Sequence, residues 1–190
     1  MQVSVEIEKR RVAGQHARTK ARRLGWLRFL GGPFKRGYGT WLQGAEGEEV
    51  VGEILEKLAG EGWYVLHDVS FGRGNIDHIV VGPGGIFTVE TKSHAGRIPI
   101  DRLDPRMIAQ AYAEKKKLEE ITGLEVQALL VFSQAYLIGR VPATRRGVTI
   151  LPARMLAWFF SRRRPTMSVE QAEEIYRRLA LAVGQLASTG

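Results

Sequence analysis

Cysteine is absent from this 190-residue sequence, which excludes disulfides and thiolate zinc sites and suits a reducing, cytoplasmic setting. No apolar run approaches the ~18 residues of a membrane span, and the N-terminus lacks the apolar core of a signal peptide. Internal repeats and low-complexity tracts are missing as well. No Gly-Lys-Ser/Thr opens a helix, so the glycines around 82–85 do not form a nucleotide-binding phosphate loop. Acid is scarce at one end only. Residues 1–41 hold ten Lys/Arg against Glu6 and Glu8, a net +8, whereas 42–190 balance at eighteen of each sign. The high isoelectric point therefore belongs to an N-terminal arm. A basic arm on a neutral domain is attracted to phosphate, whether of nucleic acid or of anionic lipid.

What is present supports one folded domain. Hydrophobic residues make up 44% of the chain, enough for a packed core and against global disorder. The composition divides the chain into a basic arm, 1–41, and a domain with C-terminal helices, 42–190. Within the arm, Arg18 to Arg23 followed by Trp26, Leu27, Phe29 and Leu30 could form a short basic amphipathic helix. Docking on its own domain, a phosphate backbone and a membrane surface all remain open as its target.

Hydrophobic spacing predicts a helix over 46–60, with Val51, Leu55 and Leu58 on one stripe. Glu48 falls on that stripe and points inward, whereas Glu49 aligns with Glu53 and Glu56 toward solvent. A first strand follows over 63–69. Asp104 and Pro105 mark the cap and first turn of a helix over 104–122. Val126–Phe132 reads as a buried central strand and 147–151 as a shorter one, with helices over 152–161 and 168–186. Lys115 to Lys117 and Arg162 to Arg164 read as solvated charge.

The most informative stretch is 74–94. Two apolar runs, Ile76–Val81 and Ile86–Val89, flank Gly-Pro-Gly-Gly at 82–85, a strong hairpin signal. With Pro83 and Gly84 at the tip, antiparallel pairing sets Asp77 opposite Glu90, and period-2 alternation puts Lys92 on the same face. Two carboxylates and an ammonium would then converge at the open end of a largely buried hairpin. Buried charge is costly unless it is paired or binds a metal.

This set resembles the acid…acid-x-Lys core of restriction-endonuclease-like, PD-(D/E)xK nucleases, and more narrowly the nuclease-related domain (NERD) family. The carrying residues are Gly44-Ala-Glu-Gly-Glu48, Asp77-His78 after Gly74-Asn-Ile, Gly85, and Glu90-Thr-Lys92 followed by Gly96, so the similarity covers about 42–135. A resolvase-like relative in the same superfamily shares helix Glu, Asp and Glu-x-Lys, but Gly-Pro-Gly-Gly and Glu-Thr-Lys favour the nuclease-related domain. The resemblance implies an α/β fold, a mixed sheet flanked by helices, and metal-dependent hydrolysis of phosphodiesters, foremost in DNA. Hard oxygen ligands at Asp77 and Glu90, with the Thr91 carbonyl that the family places between, suit Mg²⁺ or Mn²⁺. Glu48 would add a further metal contact, and Lys92 would position water or stabilise the pentacoordinate charge.

Gln110 lies where many relatives place a glutamine. The wider pattern has Tyr four residues later, but Glu114 stands there, a departure that weakens the assignment of Gln110. His78 should lie on the face opposite Asp77 and reads as a structural histidine; His94 lies just beyond the strand. The competing reading is a non-catalytic module that keeps the fold and binds nucleic acid or an anionic membrane surface.

Overall fold

The computed structural model describes residues 47–70 and 74–188. The arm and the first residue of the expected N-terminal helix lie outside them. Residues 47–56 form α1, which tightens into a 3₁₀ turn at Lys57–Glu61 before Gly62, at φ 81°, reverses the chain. The expected helix over 46–60 therefore ends its last turn in tighter winding. Its faces are as expected: Val51, Leu55 and Leu58 are buried, while Glu49, Glu53 and Glu56 are exposed.

Strands β1 (Tyr64–Ser70), β2 (Asn75–Gly82) and β3 (Gly85–Lys92) make an antiparallel meander. The β2–β3 ladder runs from His78↔Val89 to Gly82↔Gly85 around the two-residue turn Pro83-Gly84. Gly82 is required by close approach, because a Cβ there would lie 2.2 Å from a ring carbon of Trp63. Next come β4 (Arg97–Pro99) and α2 (Pro105–Thr122). Asp104 caps α2, its Oδ1 accepting from the Arg106 N–H at 2.9 Å, and Gly123 at φ 66° ends it.

Helix α2 is the crossover that lets β5 (Val126–Phe132) lie parallel to β3. Strands β6 (Tyr136–Ile138), β7 (Ala143–Arg145) and β8 (Val148–Pro152) follow. The main sheet has the order β1-β2-β3-β5-β8-β7, mixed in direction, and β4 pairs with β6 in a small parallel sheet. Pro152 leads into a 3₁₀ turn, Ala153–Met155, so that α3 is only Leu156–Ser161. Finally α4, Val169–Ser188, begins with a capping box: Gln171 N–H donates to Ser168 Oγ, and Ser168 N–H donates to Gln171 Oε1.

Two helical layers cover the sheet. Helices α1 and α3 pack on one face, where Val80, Phe87, Val89, Leu129 and Val131 meet Leu55 and Phe160. Helices α2 and α4 cover the other, with Leu118, Ala172 and Leu179 against Ile79, Val81 and Ile86. Phe87 sits fully buried among Trp63, Phe159 and Phe160 with ring centroids 5.2–6.0 Å away, burial worth about 3 kcal/mol for such a side chain. Arg163 departs from the solvated reading. It is half-buried over Phe87 and Phe159 and donates to Gln127 Oε1 at 2.6 Å.

Candidate active site

Three residues of the β2–β3 hairpin build the centre of the site. The last rung of the ladder is His78↔Val89, so Asp77 and Glu90 stand next in register. Instead of continuing as regular ladder, the Thr91 N–H donates to Asp77 Oδ2 at 2.8 Å, which fixes the carboxylate against β3. Glu90 is almost wholly buried, and the Lys92 ammonium donates to its Oε1. The other oxygen, Glu90 Oε2, is buried and takes no hydrogen bond from an N–H of the described residues.

Helix α2 closes this face of the sheet. Gln110 Oε1 accepts from Lys92 Nζ at 3.0 Å, and its amide donates to Glu114 Oε1 at 3.1 Å. The ammonium on one side and the carboxyl on the other leave the amide one satisfying orientation. Glu114 is itself buried, and its carboxyl interacts directly with that of Glu90. A proton kept on Glu114 turns this repulsion into an O–H···O bond.

Electrostatics follow from that crowding. Burial first, and the Glu90 carboxylate second, push Asp77 up to about 7, against the pull of the Thr91 N–H; Glu48 adds to the rise and Lys92 opposes it. Burial, then Glu90, push Glu114 up to about 9. Glu48 thus lies close enough for its charge to act on Asp77. Its approach depends on Gly47, where a Cβ would come 2.6 Å from Ser133 Oγ and 2.7 Å from Ser93 Cβ. Helix α1 can therefore be brought against the ends of β3 and β5 only with glycine there. The model of the nuclease-related domain family matches residues 43–133, a span that contains α1, the hairpin, α2 and β5.

Residues 43–133, just under half of the chain, are thus identified with the nuclease-related domain. Over 61 residues the chain is 43% identical to an uncharacterized protein of Bacillus anthracis, covering 30% of this chain and 29% of that protein. The chain thus spans less than a third of that relative's length. No solved structure matches it.

The donor chemistry of the nuclease-related domain fits a hard divalent cation. Glu90 Oε2 is a buried oxygen that no N–H engages, and Asp77 has an oxygen not engaged by Thr91. Among the described residues no three acids or histidines form a ready chelating group. A cation would therefore be held by the Asp77–Glu90 pair, with water filling the remaining positions, as Mg²⁺ favours.

Of the residues singled out from sequence, Asp77, Glu90, Lys92 and Gln110 are brought together, with Thr91 as the backbone donor to Asp77. His78 lies on the opposite face, its Nδ1 2.8 Å from His67 Nδ1, while His67 Nε2 is 2.7 Å from Glu56 Oε1. His94 is exposed with its ring 6.4 Å from that of Phe132. The residue that sequence reasoning passed over is Glu114. Its signal was the stripe Ala111–Glu114–Leu118, all three buried, the argument already applied to Glu48.

Proposed function

We propose that the nuclease-related domain of this protein hydrolyses phosphodiester bonds, foremost in DNA, with Mg²⁺ or Mn²⁺ held by Asp77 and Glu90. The observation that carries the reading is the convergence of Asp77, Glu90 and Lys92 on one face, with Asp77 anchored by the Thr91 N–H. A bound cation would supply charge neutralisation at the phosphate and acidify a water. The protein's own residues do the rest. The Thr91 N–H holds Asp77 in place, and Gln110 holds the Lys92 ammonium beside Glu90. Were Asp77 and Glu90 to hold a cation, the Lys92 ammonium would lie beside it, placed to meet an anionic phosphate oxygen. Glu48 adds negative charge that favours cation capture, and Glu114, kept protonated, steadies Glu90 without adding a competing charge.

The test is cleavage of labelled DNA and RNA substrates (single strand, duplex, nicked and branched) with Mg²⁺, Mn²⁺ or EDTA. Asp77→Ala protein, purified in parallel, controls for contaminating nuclease. Hydrolysis that needs the cation and vanishes in the variant is the expected result; hydrolysis that survives Asp77→Ala would refute the assignment.

A further inference from the structure

The domain's neutrality conceals a segregation of charge. From Val126 to Val169 the chain has seven arginines, no lysine and no acidic residue. Part of this segment is organised with aromatic rings at the C-terminal ends of the parallel strands. Tyr136, 55% exposed at the start of β6, has the Arg97 guanidinium 5.4 Å and the Arg154 guanidinium 5.7 Å from its ring centroid. Four residues beyond Arg154 comes Trp158, 46% exposed, and four beyond that Arg162, whose guanidinium is 5.9 Å from the Trp158 ring. The result is an alternation of Arg97, Tyr136, Arg154, Trp158 and Arg162, exposed throughout. Among the described residues none of these three arginines forms an ion pair.

The ladder starts beside the candidate active site. Ser133 N–H donates to the Lys92 carbonyl at 3.0 Å, and Tyr136 N–H donates to the Gly96 carbonyl at 2.8 Å. These bonds tie the segment carrying Tyr136 to the one leaving Lys92. Arg97 follows Lys92 by five residues, a reach of at most about 18 Å. Arg154 follows Pro152, which pairs with Phe132, itself the partner of Lys92.

We propose that this ladder is the track for an unpaired nucleic-acid strand, with bases stacked on Tyr136 and Trp158 and phosphates met by Arg97, Arg154 and Arg162. The assignment of the occupant rests on the nuclease reading and on charge complementarity. Exposed rings interleaved with cations fit bases that present a π-face, which a duplex hides within its stack. The guanidinium groups now near the rings do not block them. A charge-assisted bond to phosphate is stronger than an exposed cation–π contact, so an arriving strand draws the arginines to its backbone and frees the ring faces.

The experiment is fluorescence anisotropy of the full chain in EDTA, with labelled single-stranded DNA, single-stranded RNA and duplex of matched length. Tyr136→Leu and Trp158→Leu should each weaken single-strand binding by about 5- to 100-fold, whereas Tyr136→Phe and Trp158→Phe stay within about threefold of the parent. Replacing Arg97, Arg154 and Arg162 by Gln should flatten the salt dependence by about 2 in log–log slope. Duplex affinity should respond little to the ring substitutions, and whichever single strand shows the ring effect names the substrate sugar. The proposal is overturned if folded Leu variants keep single-strand affinity within twofold, if duplex binding falls equally, or if anionic vesicles bind and oligonucleotides do not. Metal-dependent cleavage is read in parallel. Cleavage with an inert ladder sinks only the ladder, and a working ladder without cleavage in any cation sinks only the hydrolytic reading.

Discussion

Glu114→Gln should stabilise the cation-free protein, and by more as the pH rises. In the folded chain this carboxyl is pushed up to about 9 from an ordinary 4.5, first by burial and then by Glu90. Between those two values the folded state holds a proton that the unfolded state has released. Stability therefore falls as pH rises across that window, is fully present below about 4.5, and stops falling above about 9. At pH 7 the interval already crossed corresponds to a cost on the order of 3 kcal/mol. Glutamine removes this cost because it is neutral in both states. Its amide can donate to Glu90 while its oxygen accepts from Gln110, so no buried group is orphaned. In a domain of this size the gain corresponds to roughly 6–12 °C in melting temperature. The assay is thermal unfolding in EDTA from pH 5 to pH 8.5, comparing the two proteins at each pH. The difference should be small at pH 5 and grow steadily. A glutamine variant less stable than its parent at pH 8, or offset by a constant amount at all pH values, would refute the argument.

Asp77→Ala, Glu90→Ala and Lys92→Ala should each abolish cation-dependent cleavage while Glu49→Ala, on the exposed side of α1, leaves it near the parental rate; a gel assay with matched preparations decides. Millimolar Mn²⁺ should raise the melting temperature of the parent but not of Asp77→Asn, because a ligand that binds only the folded state stabilises it by mass action. Gly47→Val should cost about 1–3 kcal/mol in denaturant-measured stability, by driving a side chain into Ser93 and Ser133. Deleting residues 1–41, which carry the net +8, should weaken duplex binding and reduce the salt slope by about 0.9 for each phosphate no longer neutralised. An unchanged slope in a still-folded truncation would assign the arm elsewhere, with anionic vesicles as the next measurement.

The hairpin was legible because its turn is short and apolar runs flank it on both sides. Once Pro83-Gly84 is the tip, a single register puts Asp77, Glu90 and Lys92 on one side. Helix α2 was legible from its cap, and β5 from its unbroken apolar run. Strands β4, β6 and β7 were not, since three residues each are too few to show a period. Glu114 was hidden by its neighbours: Lys115 and Lys116 pair with Glu119 on the outer side, so the sequence there reads as a charge run. Arg163 was hidden in the same way between two exposed arginines. The alternation of Arg97, Tyr136 and Arg154 depends on three strand ends meeting in space, which no local spacing encodes. Counting charge over the whole domain also cancelled the arginine-rich segment against acids elsewhere.

The placement of the site's charges on two kinds of element also bears on the order in which the chain can assemble. Asp77, Glu90 and Lys92 belong to a hairpin whose closure is local, and hairpins form in about 1–10 μs. Glu114 joins only when α2 docks beneath the parallel pairing of β3 with β5, a slower, non-local step. The early unit already carries its own counterion in Lys92, whereas the late element brings a further carboxyl against Glu90. Docking of α2 above pH 5 is thus coupled to uptake of a proton, and refolding should slow as pH rises in wild-type protein but much less in Glu114→Gln. Stopped-flow refolding with a pH-indicator dye would register the proton and the rate together, and a refolding rate with the same pH dependence in both proteins would exclude this coupling.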